Sequence, residues 1–387
     1  MLTNWNYTAP LQIFFGPDSI QNISTIFGSY KGDNLLIVTD KVIREIGIMK
    51  KVEEILKTSQ INYFIYDNIT SEPTIQNVLE GLEILKKGKC NLVIGLGGGS
   101  SIDTAKAISM MAANNENIYD YKGVDKVKNK GVPVIAIPTT AGTGSEVTKY
   151  TIITDTKTDV KLLIGSNYII PDIAIVDPIL TLCLPKKLTS STGIDALTHA
   201  IEAYTSIKAN PLSDLFAIEA IKLISQNLRE AWSNGSNISA REKLMLGSMY
   251  AGIAFNNSSV GLVHGMSRPI GANFHIAHGT SNAVLLGVVM EYTSVSALER
   301  YFDIARALGL DTKSFTTVEA ANAAVLSIKK LIKDLEIPPM ADLITDKQKF
   351  IELVPKMAQD AIDSGSPGNN ARTATKNEII DLYLKSF

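Results

Sequence analysis

Short β-branched runs alternate with amphipathic stretches through the first half of the chain. NLLIVTD (34–40) is a continuous apolar run, which predicts a strand buried on both faces. KVIREIGIMKKVEEILKTSQ follows with helical spacing and a break near Gly47. INYFIYD (61–67) predicts a second strand, and PTIQNVLEGLEILKKGK (73–89) a helix with proline in its first turn. LVIGL (92–96) is a strand followed by the helix SIDTAKAISMMAANN (101–115). VPVIAIPTT (132–140) and IAIVD (173–177) complete the series. Such alternation predicts parallel strands joined by crossover helices.

After about Pro185 the strand-like runs largely disappear. Helical periodicity takes over in SDLFAIEAIKLISQNLREAW (213–232), REKLMLGSMYAGIAF (241–255), SALERYFDIARALG (296–309) and VEAANAAVLSIKKLIKDL (318–335). The change predicts a boundary near residue 184. Residues 1–184 read as an α/β domain with a parallel sheet and residues 185–387 as an all-helical domain. A chain of 387 residues is long enough for two cores.

Composition narrows the partners. Apolar residues make up 45% and charged residues 20%, as in a soluble globular enzyme, and the net charge of −2 offers nothing to nucleic acid or an anionic membrane. The start, MLTNWNYTAPLQIFFGPDSI, lacks the basic and apolar regions of a signal peptide, and no stretch is long and apolar enough to span a bilayer. Cys90 and Cys183 are 93 residues apart, which suits a reducing cytoplasm and no metal pair.

IGLGGGSSIDTAK (94–106) runs from a strand through Gly97, Gly98 and Gly99 into a helix. A plain strand-to-helix turn needs one glycine; three let the backbone approach a ligand. The amides of Ser100, Ser101 and Ile102 would then point from a helix N-terminus at an anion, most simply a pyrophosphate. The pattern is neither G-x-G-x-x-G, since its sixth position is Ser100, nor a P-loop, since no GK[ST] follows. Asp40, ending NLLIVTD, is the candidate ribose carboxylate; its charge would repel a 2′-phosphate and so argues for NAD over NADP. It also reads as an ordinary turn aspartate. A polar loop, TTAGTGSEVT (139–148), follows the strand VIAIP; Thr139, Thr140 and Thr143 are candidates for phosphate or nicotinamide, and Lys161 for ribose or phosphate.

The chain has only four histidines, and three lie in GLVHGMSRPIGANFHIAHG (261–279). The fourth, His199, follows Asp195 by four residues in GIDALTHAIEAY (193–204), so the two share a helix face. Alone, that pair reads as a surface interaction. With His264 and His278, 14 residues apart across a bend, it makes a three-imidazole, one-carboxylate set suited to Fe²⁺ or Zn²⁺.

These motifs, in this order and over essentially the whole length, resemble those of the iron-containing (group III) alcohol dehydrogenases, notably the propanediol dehydrogenase and lactaldehyde reductase members. The resemblance implies a dehydroquinate-synthase-like architecture: an NAD-binding α/β domain, an all-helical domain and a metal in the cleft between them. It implies Asp195, His199, His264 and His278 as ligands, and a homodimer or larger assembly. It further implies hydride transfer between a small alcohol or diol and NAD, with the metal, Fe²⁺ or alternatively Zn²⁺, as Lewis acid on the substrate oxygen. His275, three residues before His278, is expected to face solvent or turn towards the site without being a ligand.

Three positions depart from the family pattern. Arg268 stands where many members carry histidine, and a guanidinium cannot serve as a general base. His275, a hydroxyl, the cofactor ribose or water would then carry the proton, and Arg268 would contact a polar substrate or the cofactor. Asn370-Ala371-Arg372 replaces Asn-Pro-Arg, so the loop DSGSPGNNAR (363–372) is expected to border the pocket differently. Ser101 replaces a proline of the glycine loop. Phe255 and Ile152 are pocket candidates. Three further readings are weighed: a hydroxy-acid dehydrogenase whose Arg268 binds a carboxylate, a lyase related to dehydroquinate synthase, and a non-catalytic NAD-binding module. The lyase would need many basic groups for a phosphorylated acid, and the binding module no Lewis acid.

Overall fold

The alternating runs of the first half build a parallel sheet. The computed structural model describes residues 4–29, 34–69, 72–114, 117–157 and 160–387. Its strands are β1 (Gln12–Phe15), β2 (Asn34–Asp40), β3 (Asn62–Ile69), β4 (Leu92–Gly97), β5 (Gly123–Val124), β6 (Val134–Pro138), β7 (Tyr150–Asp155), β8 (Val160–Gly165) and β9 (Ile173–Val176). Six form one sheet in the order β1-β9-β6-β4-β2-β3, every pair parallel. A second sheet, β5-β8-β7, contains the antiparallel hairpin β7–β8.

Alternation along β2 divides its side chains between the two faces. Leu35 and Ile37 join one apolar cluster, Leu36 and Val38 the other. Both faces are covered, which is why the strand reads as a continuous apolar run. The helices between strands are α1 (Ile23–Ser29), α2 (Lys41–Glu45), α3 (Ile48–Thr58), α4 (Ile75–Lys87) and α5 (Gly99–Ala113). The break between α2 and α3 is Gly47, at φ 84°. The α4 expectation needs a correction: Thr74 is the cap, its hydroxyl and the Asn77 side chain forming a reciprocal box, and Pro73 lies before it. Asn115, the last residue of the expected α5, lies outside the described residues.

The order of strands sets up a binding edge. From β2 the chain passes to β3 on one side, then returns so that β4 lies on the other. At such a switch point the loops beyond the carboxyl ends of the two strands diverge and leave a crevice. Asp40 ends β2, and the glycine loop ends β4.

Residues Thr8–Cys183 form this α/β unit; Leu184–Phe387 form the second, with the N-terminal stretch through Tyr7, whose ring stacks on Phe216. The second unit is helical: α6 (Lys186–Thr205), α7 (Pro211–Ser233), α8 (Ile238–Asn256), α9 (Leu262–Phe274), α10 (His278–Ser294), α11 (Leu298–Ala307), α12 (Thr317–Asp334), α13 (Met340–Leu343), α14 (Lys347–Asp363) and α15 (Lys376–Ser386). Almost the whole length of α6 from Thr189 onwards is buried, including Asp195, His199 and Glu202. Among the described residues no helix is long and apolar enough to cross a membrane.

Candidate metal centre and cofactor loop

Three helices of the second unit bring four sequence-predicted residues together. Asp195 and His199 lie one turn apart on α6, His264 is in the first turn of α9, and His278 opens α10. Donor atoms of Asp195, His199 and His264 all lie within 4.8 Å of one another. Asp195 Oδ1 is 3.7 Å from His264 Nε2 and 3.6 Å from His278 Nε2. Ligand bonds of roughly 2.1 Å in a tetrahedral arrangement put donor atoms about 3.4 Å apart. The donor set and its spacing therefore fit a divalent metal.

Close helix packing makes the cluster possible. A Cβ at Gly279 would lie 2.3 Å from the Ser191 carbonyl oxygen and 3.3 Å from Asp195 Cβ. Only glycine lets α10 approach α6 closely enough for His278 to meet Asp195. Gly279→Ala should push the two helices apart, costing about 1–3 kcal/mol by overpacking. The expected result is a lower Tm together with a lower metal content after loading. Unchanged metal content would show that His278 does not depend on this contact.

Charge inside the cluster is strongly coupled. Burial opposes ionisation of Asp195, but the imidazoles of His199, His278 and His264 outweigh it and hold the carboxyl well below its ordinary range. Desolvation likewise opposes charge on His264, while Glu202 and Asp195 raise its pKa above the ordinary value. His278 moves down, because of desolvation and the positive neighbours His264, His199 and Arg268, although its side chain is 40% exposed.

Two residues absent from the sequence reading complete the cluster. Glu202 is buried on α6, and its Oε2 accepts from His264 Nδ1 at 2.5 Å. Asn282, buried on α10, donates to Asp195 Oδ1 at 2.6 Å, with the same nitrogen 3.2 Å from His264 Nε2 and 3.3 Å from His278 Nε2. Helical spacing could have found both: Glu202 is seven residues beyond Asp195, and Asn282 four beyond His278.

The other sequence candidates occupy different surroundings. His275 is exposed and caps the C-terminus of α9 at φ 55°. Arg268, one turn after His264, donates to Ser366 Oγ at 2.8 Å. Burial lowers its pKa and Glu202 counters the shift; the guanidinium stays charged. No carboxylate lies within ion-pair distance of it among the described residues. The loop 363–372 thus supports Arg268 through Ser366, while Arg372 packs over Tyr292, 3.8 Å from its ring centroid. Phe255 stacks on His199 at 4.4 Å between ring centroids.

In the α/β unit the three glycines have three separate reasons. Gly97 has φ +146°, which excludes most side chains. A Cβ at Gly99 would lie 2.8 Å from Thr143 Cγ2. A Cβ at Gly98 would meet nothing closer than Thr140, at 3.7 Å. The fold does not require glycine at 98, and the space beside it is open. No side chain caps α5 at Gly98, which leaves the positive end of its dipole facing that space. The Ile102 amide donates to the Gly98 carbonyl at 3.3 Å, inside the first turn of α5, so of the three amides expected to meet an anion that of Ile102 is already taken up by the helix.

Asp40 lies beside this loop. Its Oδ1 caps α2 by accepting from the Ile43 amide at 3.0 Å, and its Oδ2 accepts from Ser101 Oγ at 3.4 Å. The Thr139 amide donates to the Gly97 carbonyl at 2.9 Å, so the threonine loop is tied to the glycine loop. Lys106, fully buried on α5, strengthens that tie through Ser145 Oγ and the Tyr150 carbonyl, each at 2.8 Å. Burial pushes its ammonium down to about 8, against the pull of Asp103 and Glu146. Ile152 is held by its amide, which donates to Asp103 Oδ2 at 2.9 Å. Lys161 sits on β8, where its Nζ pairs with Glu72 at 2.6 Å.

A glycine loop at a switch point and a carboxylate–imidazole cluster are the parts of a nicotinamide- and metal-dependent dehydrogenase. Two family profiles cover nearly the whole chain: iron-containing alcohol dehydrogenase over residues 10–178, and the C-terminal region of the Fe-containing alcohol dehydrogenase family over 189–387. The chain belongs to the iron-containing alcohol dehydrogenase family. This alcohol dehydrogenase is 39% identical over 386 residues to a 1,3-propanediol dehydrogenase of Citrobacter freundii, with 99% of each chain covered. It is 38% identical over 351 residues to the lactaldehyde reductase of Escherichia coli K12, with 90% of each covered. A solved 1,3-propanediol oxidoreductase superposes with a TM-score of 0.97 at 37% identity, covering 100% of both chains. It is an NAD-linked, metal-dependent oxidoreductase with the two-part architecture of its family.

Proposed function

We propose that the enzyme interconverts a small primary alcohol or diol, such as 1,3-propanediol, 1,2-propanediol or butanol, and the corresponding aldehyde. The observation that carries this reading is the convergence of Asp195, His199, His264 and His278 beside Phe255. In it, those four residues hold the metal. Asp40, Gly97, Gly98, Gly99, Ser100, Ser101, Thr139, Thr140 and Thr143 form the NAD site, with Lys161 at its margin. The division near residue 184 separates a cofactor-binding half from a metal-binding half. When bound, the metal supplies a Lewis acid and NAD a hydride acceptor. Fe²⁺ is the expected ion, with Zn²⁺ as competitor, since the nitrogen-rich set favours zinc on intrinsic affinity. The two free cysteines, Cys90 and Cys183, support a cytoplasmic setting. A homodimer or larger homo-oligomer belongs to the reading by family likeness, and light scattering would test it.

NADH formation from 1,3-propanediol, 1,2-propanediol and 1-butanol, measured anaerobically on Fe²⁺-loaded protein, tests the substrate class. Activity that disappears in His264→Ala supports the reading, and equal activity in both proteins refutes it.

Arg268 favours a second reading, a hydroxy acid as substrate. Its guanidinium donates to Ser366 and lacks a carboxylate partner among the described residues, so a substrate carboxylate would complete its surroundings. A preference for 4-hydroxybutyrate over 1-butanol, reversed in Arg268→His and in Arg268→Ala, is the expected result on this reading. Unchanged kinetics in both variants would remove Arg268 from any substrate role.

A further inference from the structure

We propose that Glu202 is a positioning residue of the metal centre, acting through His264 rather than on substrate. The proposal rests on Asp195, His199, His264 and His278 being the ligands. Glu202 is 4% exposed and His264 2%, so their contact is shielded from water. The Glu202 carboxylate accepts twice from the first turn of α9: Oε2 from His264 Nδ1 at 2.5 Å and Oε1 from the Val263 amide at 2.6 Å.

Each contact fixes a different property of the same ligand. An imidazole whose Nδ1–H is held by a carboxylate keeps its lone pair on Nε2 and gains basicity there. His264 Nε2 is the atom 3.7 Å from Asp195 Oδ1, on the side of the cluster. The bond to Val263 anchors the backbone. Cap residue Gly261 offers α9 no side-chain acceptor, and a carboxylate at a helix N-terminus is favoured by the dipole. A Cβ at Gly261 would lie 3.2 Å from Glu202 Oε1, so glycine there keeps the approach open. One carboxylate therefore sets the position of the helix, the tautomer of the ring and the charge behind the ligand. A residue serving only as a cap would need one neutral oxygen.

Glu202→Gln separates these roles, because its amide oxygen can still cap α9 while the negative charge behind Nδ1 is gone. Zn²⁺ affinity of the metal-free protein, read by competition with a chromophoric chelator, should fall about 10–100-fold. The Tm of the metal-free form should stay within about 3 °C of wild type. A Zn²⁺ affinity within about threefold of wild type overturns the proposal. His264→Ala serves as the reference: unchanged Zn²⁺ affinity there would overturn the ligand assignment itself, whereas weakened binding in His264→Ala but not Glu202→Gln rejects only the role of Glu202. Should Glu202→Gln fail to fold, the imidazole ¹⁵N shifts of Zn²⁺-loaded wild type decide, with only four histidines to assign. A His264 ring protonated on Nδ1 and coordinated through Nε2 supports the proposal; the opposite tautomer overturns it.

Discussion

Asp195→Asn is expected to leave the protein folded and almost without metal or activity. Asp195 is the only anionic member of the proposed ligand set, and it lies 3.7 Å and 3.6 Å from the Nε2 atoms of His264 and His278. Asparagine preserves its volume but removes the charge that balances a dication. The packing of α6 should tolerate the exchange, because the side chain is nearly isosteric. Lewis-acid polarisation contributes several kcal/mol to such reactions, and about 4 kcal/mol corresponds to roughly a thousandfold in rate. Metal content by elemental analysis should fall by an order of magnitude or more, and kcat/KM by about a thousandfold. Retention of stoichiometric metal with activity within about tenfold of wild type would show that Asp195 is not a ligand.

The parts of the fold that were legible are those where one local rule decides. β2 and β4 are covered on both faces and therefore read as unbroken apolar runs. The break at Gly47 was visible because glycine alone is at ease at φ 84°. β1 has only four residues, QIFF, too few to show a period, and it exists because β9 pairs with it. The hairpin β7–β8 is joined by TKTD at 156–159, which lacks the glycine of a tight hairpin turn. Pro73 gives a start signal for α4 two positions early, because the reciprocal bond between Thr74 and Asn77 makes Thr74 the cap and Ile75 the first helical residue.

The site divides along the same line. Asp195 and His199 were visible as an i, i+4 pair, and the crowding of scarce histidines drew attention to His264 and His278. Glu202 and Asn282 share helix faces with Asp195 and His278, but spacing alone does not mark them, since each acts on another side chain and glutamate or asparagine on a helix ordinarily faces water. Their burial is a property of three helices packed together, which no single stretch of sequence records. Gly279 is similar. Its glycine is demanded by the Ser191 carbonyl on another helix, not by its own backbone. Arg268 stands out in the sequence as a departure from the family pattern, but its partner Ser366 lies 98 residues away and meets it only in the folded chain.

Gly98→Val is expected to abolish NAD binding without unfolding the protein. The backbone at 98 has φ −74° and ψ −171°, an extended conformation that valine adopts readily. The protein itself leaves room for a Cβ, the nearest atoms being Thr140 Cγ2 and Oγ1 at 3.7 Å. What the added methyl groups would displace is a phosphate approaching the N-terminus of α5. Each hydrogen bond from a backbone amide to a charged oxygen is worth about 1.5–3 kcal/mol, so losing two weakens binding by about 3–6 kcal/mol, or 10²–10⁴-fold. Gly97→Ala is the contrasting variant: at φ +146° an alanine is strained whatever binds, and its Cβ would lie 2.6 Å from Ser101 Oγ. It should lower Tm as well as affinity. NADH fluorescence titration beside thermal melts distinguishes the two. An NADH Kd for Gly98→Val within about threefold of wild type would mean that the dinucleotide does not pass over Gly98 and that the three glycines serve the turn alone.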